Sequence, residues 1–394
     1  MKLLHTADWH LGRRLHGIDR TAEIADVLKE IAELAKAEAV DLVVVAGDLF
    51  DSKNPSAEAE EAAYQFFLDI GQVGIPSVVI AGNHDSPSRL DAVGRLLRLS
   101  RVQVVGQPRV SQSGGVFDLV CGAETVRVAA LPFVSERRIV KVAALLESDP
   151  GAWLSKYRDG MQKLIHNLTA AFSSEVVNLL VLHGTMHGAT LARSEYLFHT
   201  AENYVLTPEV FPELCNYVAL GHIHKAQPIA GYPEAAGRYA GSVVQLDFGE
   251  LGDDKAVFIV EAAPGRPTEL LKVHPLQGGK PLKQVTLTAE MLERRLPELT
   301  RFAGYLKLVL ELDEPRPGLK DRIMKENANV LSVDVRLPQA APEARERAAV
   351  GQFDLLDAYD AYVQYARGQP PAESLKQAFA ALLAQLDDDL GVAL

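Results

Sequence analysis

Five apolar stretches of this chain each end in residues of the kind that bind metals. H-T-A-D-W-H presents Asp8 and His10, and A-G-D-L-F-D presents Asp48 and Asp51. A-G-N-H-D-S presents Asn83, His84 and Asp85, V-L-H-G presents His183, and L-G-H-I-H presents His222 and His224. On an extended chain, side chains two residues apart point to the same side, so Asp8 with His10, and His222 with His224, each face one spot. In an open α/β sheet, ligand sites form beyond the carboxyl ends of the strands. A fold that serves this pattern must bring five strand ends to one place. Each residue also has an ordinary reading: Asp8 as a cap, Asn83 in a turn, His183 satisfied in a core, His222 and His224 on a surface. Five such coincidences in one domain make a poor account.

The pattern around these stretches is that of an α/β fold. Residues 1–7, 41–48 and 75–83 read as buried strands. Between them, Ile24, Val27, Leu28, Ile31, Leu34 and Ala35 have helical spacing, and 61–70 reads as a second helix. This β-α-β-α-β order predicts a largely parallel sheet covered on both faces. Further strands are expected at 178–183, 216–222, 238–246, 257–261 and 270–274, with a long helix over 153–172.

The 394 residues exceed one ordinary core. Q-G-G-K-P after residue 276 reads as a linker, followed by strand 283–288, helix 289–299, strand 305–312, helix 319–327 and strand 331–337. This predicts a small α+β unit over 276–338. P-Q-A-A-P-E-A is a second linker. Over 351–394 the chain predicts two amphipathic helices, one carrying Phe353, Leu356, Tyr359 and Val363, the other Leu375, Phe379, Leu382, Leu383 and Leu386. Two helices cannot form a core alone, so their stripes pack on the body or on a partner.

Only two cysteines occur, Cys121 and Cys215, in no metal-like spacing, which suits a reducing compartment. His and Asp sit where a signal peptide would need an apolar stretch, and no apolar run approaches the roughly 20 residues of a membrane helix. The expected location is the cytoplasm. A net charge of −12 argues against a chain that coats nucleic acid unaided. It leaves a nuclease open, because a metal cluster supplies local positive charge.

The candidate ligands mix carboxylate, imidazole and one amide oxygen, with no thiolate. Mixed nitrogen and oxygen sites suit Mn, Fe or Zn, whereas pure oxygen sites suit Mg or Ca. The ligands are too many for one ion, and two ions sharing a bridging carboxylate would use them all. Two metals about 3.5–4 Å apart clamp the attacking and leaving oxygens of a phosphoryl transfer. The reaction read from the residues is hydrolysis of a phosphate ester.

Taken in order, the segments D-x-H, G-D-x-x-D, G-N-H-D, H and G-H-x-H resemble the calcineurin-like metallophosphoesterase pattern over residues 5–250. The resemblance implies a metallophosphoesterase sandwich over 1–275. H-T-A-D-W-H-L-G-R-R-L-H-G, A-G-N-H-D-S-P-S-R-L and G-S-V-V-Q-L-D-F-G-E are similar to the SbcD family of bacterial nuclease subunits within it. That resemblance implies two divalent ions, most often Mn2+. One is held by Asp8, His10, Asp48 and His224, the other by Asp48, Asn83, His183 and His222. It makes His84 catalytic, as transition-state stabiliser or general acid, with Asp85 orienting it. Relatives outside bacteria often have histidine where this chain has Asp51, so position 51 is left a supporting or loop-shaping role.

The same resemblance implies a DNA capping role for 276–338 and a helix-loop-helix over 351–394 that docks on a coiled-coil ABC-type ATPase, SbcC. It implies a homodimer within a heterotetramer. It further implies double-strand exonuclease (3′–5′) and single-strand or hairpin endonuclease activity in DNA recombination, replication and repair. Arg13, Arg14, Arg20, Arg137 and Arg138, with Lys141, are candidate DNA phosphate contacts or solvated surface charges. Two other readings stay open. A phosphatase or cyclic-nucleotide phosphodiesterase would not need the chain beyond 276. A non-enzymatic scaffold for the ATPase would not need the full ligand set.

Overall fold

A computed structural model of the chain describes residues 1–135, 153–192, 205–337, 359–360, 363 and 370–380. Packing divides the chain into two units, Met1–Leu337 and Pro338–Leu394.

In the first unit the strands form two six-stranded sheets, the sandwich that the family resemblance implies, where the β-α-β pattern alone predicts one parallel sheet. The first runs in spatial order Glu269–Pro275, Ala256–Glu261, Lys2–Thr6, Leu42–Val45, Ser77–Ile80 and Val102–Val105. The second runs Gln227–Pro228, Gly237–Tyr239, Tyr217–Gly221, Val177–His183, Glu124–Leu131 and Val116–Cys121. Lys2–Thr6 through Val102–Val105 pair parallel in the first sheet, with both antiparallel pairings on one side; in the second sheet the four inner strands are parallel and both edge strands antiparallel.

The strands read as unbroken apolar runs because both faces of each sheet are covered. Leu4, Val43, Val45 and Val79 pack on the helices Thr21–Ala37 and Ala57–Gln72 through Ile24, Leu28, Ile31, Phe66 and Phe67. Their neighbours Leu3, Leu42, Val44 and Val78 face the second sheet and meet Val128, Leu179, Val181 and Ala219. The far side of the second sheet, with Leu180, Leu182, Val218 and Leu220, is covered by Tyr157, Met161, Ile165 and Leu168 of helix Trp153–Thr169. The result is four layers, helix–sheet–sheet–helix. Truncating one of these leucines to alanine would cost about 2–5 kcal/mol.

Strand Leu42–Val45 ends earlier than expected because Gly47 and Asp48 have φ of +94° and +53°. The strand expected over 238–246 is only Gly237–Tyr239, since Gly241 at φ +75° turns the chain out of the extended region.

Residues 282–336 form a three-stranded parallel sheet, Leu282–Thr288, Tyr305–Glu311 and Val330–Arg336, with helices Ala289–Leu299 and Leu319–Glu326 on one face. Thr288 caps the first helix by accepting the N–H of Met291 at 3.4 Å. Leu282, Tyr305 and Leu331 pack against Leu15, with Phe248 and Leu251 alongside. In the second unit, helical segments include 359–360 and 373–380. Tyr359 stacks on Phe379 at 4.1 Å between ring centroids, and Lys376 pairs with Asp360. Phe353, Leu356, Leu382, Leu383 and Leu386 lie outside the described residues.

Candidate metal centre

The carboxyl ends of strands from both sheets open onto one rim, and the chain turns sharply as it leaves them. Asp8, His10, Asp48 and His222 have φ of +51°, +50°, +53° and +97°. These are left-handed conformations that cost non-glycine residues energy and cluster at functional sites. The paired residues therefore converge through turns, not through an extended strand as the spacing implied. His222 lies just past the strand end at Gly221, and its N–H donates to both oxygens of Asp8 at 2.9 and 3.1 Å.

The side chains gather into overlapping groups. Asp8, His10 and His224 form one, Asp48, His183 and His222 another, and His10, Asp48 and His84 a third between them. Nε2 of His10 faces Nε2 of His224 at 3.2 Å. Oδ2 of Asp48 lies 3.7 Å from Nε2 of His10 and 3.4 Å from Nε2 of His183. Oδ1 of Asn83 lies 3.0 Å from Nε2 of His183 and 2.8 Å from Nδ1 of His222. Converging imidazole nitrogens and oxygens of this type fit divalent cations.

Polar groups behind the site fix the rings. Nδ1 of His183 donates to the carbonyl of Ala46 at 2.8 Å. Nδ1 of His10 lies 3.1 Å from Oδ1 of Asp51, and Nδ1 of His224 lies 3.1 Å from Oε1 of Glu250. With Nδ1 donating, Nε2 is the atom that each ring turns toward the centre. Nδ1 of His84 donates to the carbonyl of Asp51 at 2.9 Å, and its backbone N–H to Oδ1 of Asp48 at 2.8 Å. Asp85 accepts from the N–H groups of Gly82, Phe50 and Leu49 at 2.8, 3.1 and 3.3 Å. It thus ties the two loops that carry Asp48 and His84. Phe133 stacks on His222 at 6.0 Å and forms a wall.

The charge states pull against one another. Burial pushes the Asp8 carboxyl up to about 7, and lifts Asp85 to about 6 with help from the charge of Asp48. Burial lowers His10 to about 4. Burial also opposes ionisation of Asp48, but His183, His10 and His84 outweigh it and hold that carboxyl well below its usual range. Burial likewise disfavours a charged His183, yet Asp48 raises it to about 9. Cations in the cluster would stabilise the carboxylates without protonating the imidazoles.

All of the expected ligands, Asp8, His10, Asp48, Asn83, His183, His222 and His224, are thus brought together with His84 and Asp85. The arginines divide. Arg14 is exposed, while Arg13 is part-buried and bonded to Asp51 at 3.3 Å. The reading of Arg20 as a phosphate contact is corrected. It has no exposed surface, grips both oxygens of Glu23 at 2.6 and 3.1 Å, and donates to the carbonyl of Gln245. Arg137, Arg138 and Lys141 lie outside the described residues. His5 is a core histidine bonded to the Tyr217 hydroxyl at 3.0 Å. Sequence reasoning missed Phe133, Lys255 and the role of Glu250, although Glu250 ends the stretch G-S-V-V-Q-L-D-F-G-E.

Residues 1–226 match the family model of the calcineurin-like phosphoesterases. Three relatives are named as the SbcD component of the nuclease SbcCD. The protein of Bacillus subtilis is 36% identical over 72% of this chain and 71% of its own. That of Rhodobacter capsulatus is 32% identical over 80% and 81%, and that of Escherichia coli K12 is 28% identical over 89% and 88%. The family match and these long similarities agree: the chain belongs to the calcineurin-like phosphoesterases and, among them, to the SbcD family of SbcCD nuclease components.

Proposed function

We propose that this chain is the nuclease subunit of an SbcCD-type complex, hydrolysing DNA phosphodiesters at a two-metal centre. The observation that carries this reading is that one carboxylate, Asp48, stands between two ligand clusters, with Oδ2 3.7 Å from Nε2 of His10 in one and 3.4 Å from Nε2 of His183 in the other. Asp8, His10, Asp48 and His224 would hold one ion, and Asp48, Asn83, His183 and His222 the other. The mixed nitrogen and oxygen donors suit Mn2+, Fe2+ or Zn2+, and of these we take Mn2+ from the SbcD resemblance. When bound, such a pair supplies Lewis-acid charge to the phosphate and makes hydroxide available near neutral pH.

The chain's own residues then position and protonate. Asp51 keeps Nε2 of His10 turned inward. His84, braced through Nδ1 on the carbonyl of Asp51, gives the proton on Nε2 to the leaving 3′ oxygen. Asp85 holds the backbone from which His84 projects. Arg13 and Arg14, at the mouth of the first motif, contact DNA phosphates.

The names of the relatives support the assembly. Residues 1–275 form the nuclease domain, 276–338 a DNA capping domain, and 351–394 a helix-loop-helix for the coiled coil of the SbcC ATPase. The activities are 3′–5′ exonuclease on duplex ends and endonuclease on single strands and hairpins. They serve recombination, replication and repair in the cytoplasm, from a homodimer within a heterotetramer. Among the described residues no helix is long and apolar enough to cross a membrane.

The test is cleavage of a duplex end and of a single-stranded circle, in Mn2+, Mg2+ and chelator. Wild type is compared with His84→Gln, with and without the ATPase partner and ATP. The expected result is Mn2+-dependent cutting that His84→Gln loses while still binding two ions. Silence on DNA with the partner present, beside rapid turnover of a small phosphodiester, would overturn the reading.

A further inference from the structure

We propose that Glu250 is a positioning residue for the metal centre: it fixes the His224 ring through Nδ1, so that Nε2 is presented to the ion. This rests on the two-metal reading above.

Glu250 has no exposed surface, and both its oxygens are engaged. Oε1 lies 3.1 Å from Nδ1 of His224. Oε2 pairs with Nζ of Lys255 at 2.7 Å, and accepts from the N–H of Leu246 at 3.0 Å and the hydroxyl of Ser242 at 3.2 Å. The carboxylate therefore cannot swing away from the ring. Lys255 also donates to the carbonyl of His224 at 3.0 Å and to the Ser242 hydroxyl at 2.8 Å. One buried lysine thus anchors both the carboxylate and the backbone of the histidine that it orients.

A carboxylate behind a ligating histidine fixes its tautomer and raises its basicity. His10 has the same backing from Asp51 at 3.1 Å. Both rings belong to the cluster with Asp8. In the other cluster, His183 rests on a neutral carbonyl, that of Ala46. The ion at Asp8, His10, Asp48 and His224 is accordingly the more tightly held of the two.

The test is calorimetric titration of the full chain with Mn2+, with thermal melting alongside. Glu250→Gln keeps an oxygen that accepts from Nδ1 but loses the ion pair to Lys255. It should melt lower and bind the tighter Mn2+ with an affinity between those of wild type and the double variant Glu250→Leu/Lys255→Met, because the ring stays fixed while the basicity lent by the carboxylate is lost. That double variant removes the acceptor without leaving a buried charge unpaired. It should weaken the tighter ion by about 10–100-fold and leave the weaker one unchanged. A folded double variant with wild-type affinity for both ions overturns the proposal. So does Glu250→Gln losing as much affinity as the double variant, because the ion pair alone would then matter. A wild-type chain that binds no Mn2+ overturns the two-metal reading itself, and the proposal with it.

Discussion

Nε2 of His183 stands 3.4 Å from Oδ2 of Asp48. That oxygen also lies 3.7 Å from Nε2 of His10, and the other accepts from the backbone N–H of His84 at 2.8 Å. One carboxylate touches both ligand clusters and the loop of the proposed general acid. Asp48→Asn keeps its shape and removes its charge. It should lose both ions rather than one, and slow cleavage at least about 1,000-fold, the upper range for one preorganised charge-stabilising group. Calorimetric titration checks this, and two ions bound with wild-type affinity would refute the bridging role.

The same pair sets a pH dependence in chelator-treated protein. His183 is raised from 6.5 to about 9 on folding. Its contribution to stability is full below 6.5 and lost as pH rises through 9. Asp8, raised from 3.8 to about 7, has the same sign at lower pH. His10, lowered to about 4, has the opposite sign, with its contribution lost as pH falls below 6.5. Below neutrality these effects oppose one another. From pH 7 to 9 the fall due to His183 stands out among them. Melting temperature should drop across that window in chelator and level off in saturating Mn2+, because binding displaces the proton. A melting temperature in chelator that rises from pH 7 to 9 would contradict this.

The candidate ligands were legible because Asp, Asn and His gathered at the ends of five apolar runs have little to do together besides binding. Their geometry was not. Asp8, His10 and His222 converge through left-handed backbone, which spacing along an extended strand does not express. The second sheet, implied by the family resemblance, was hidden from the apolar pattern for a related reason. Val44 and Leu179 are both simply apolar in sequence, and nothing local says that they face each other across two sheets. Glu250 was unreadable alone, since a buried acid and a solvated one look alike until Lys255 and His224 are placed around it.

Arg14 and Arg20 show how far apart two nearby arginines can be. Arg20 is buried and grips Glu23 and the carbonyl of Gln245, next to the point where Gln245 Oε1 accepts the N–H of Leu282 at 3.2 Å. Arg20→Ala removes the ion pair of Glu23, leaving it the N–H of Lys280 and the Tyr305 hydroxyl, and takes a donor from the carbonyl of Gln245; it should destabilise by about 3 kcal/mol. In the folded fraction it should leave the salt dependence of DNA binding unchanged. Arg14→Ala should barely change stability, weaken binding evenly across sequences, and reduce the salt slope by about 1. Denaturant titration and binding at several salt concentrations separate the two; the reverse assignment would return Arg20 to the DNA surface.

Two glycines beside ligands differ in the space they leave. A Cβ on Gly82 would collide with the carboxylate and backbone nitrogen of Asp48. Gly82 also donates its N–H to Asp85 at 2.8 Å, so its backbone cannot retreat without loosening the bond that joins the two loops. A Cβ on Gly184, next to His183, would meet nothing within 4 Å, and the residue needs no left-handed backbone. Gly82→Ala should therefore cost about 1–3 kcal/mol by overpacking and displace Asp48 from between the clusters. Mn2+ binding and cleavage should fall together, while Gly184→Ala retains both. Melting curves and Mn2+ titration of the two variants decide it: equal, wild-type-like Mn2+ binding in both would mean that Asp48 can shift without consequence, and that its close approach to Gly82 is not what holds it in place.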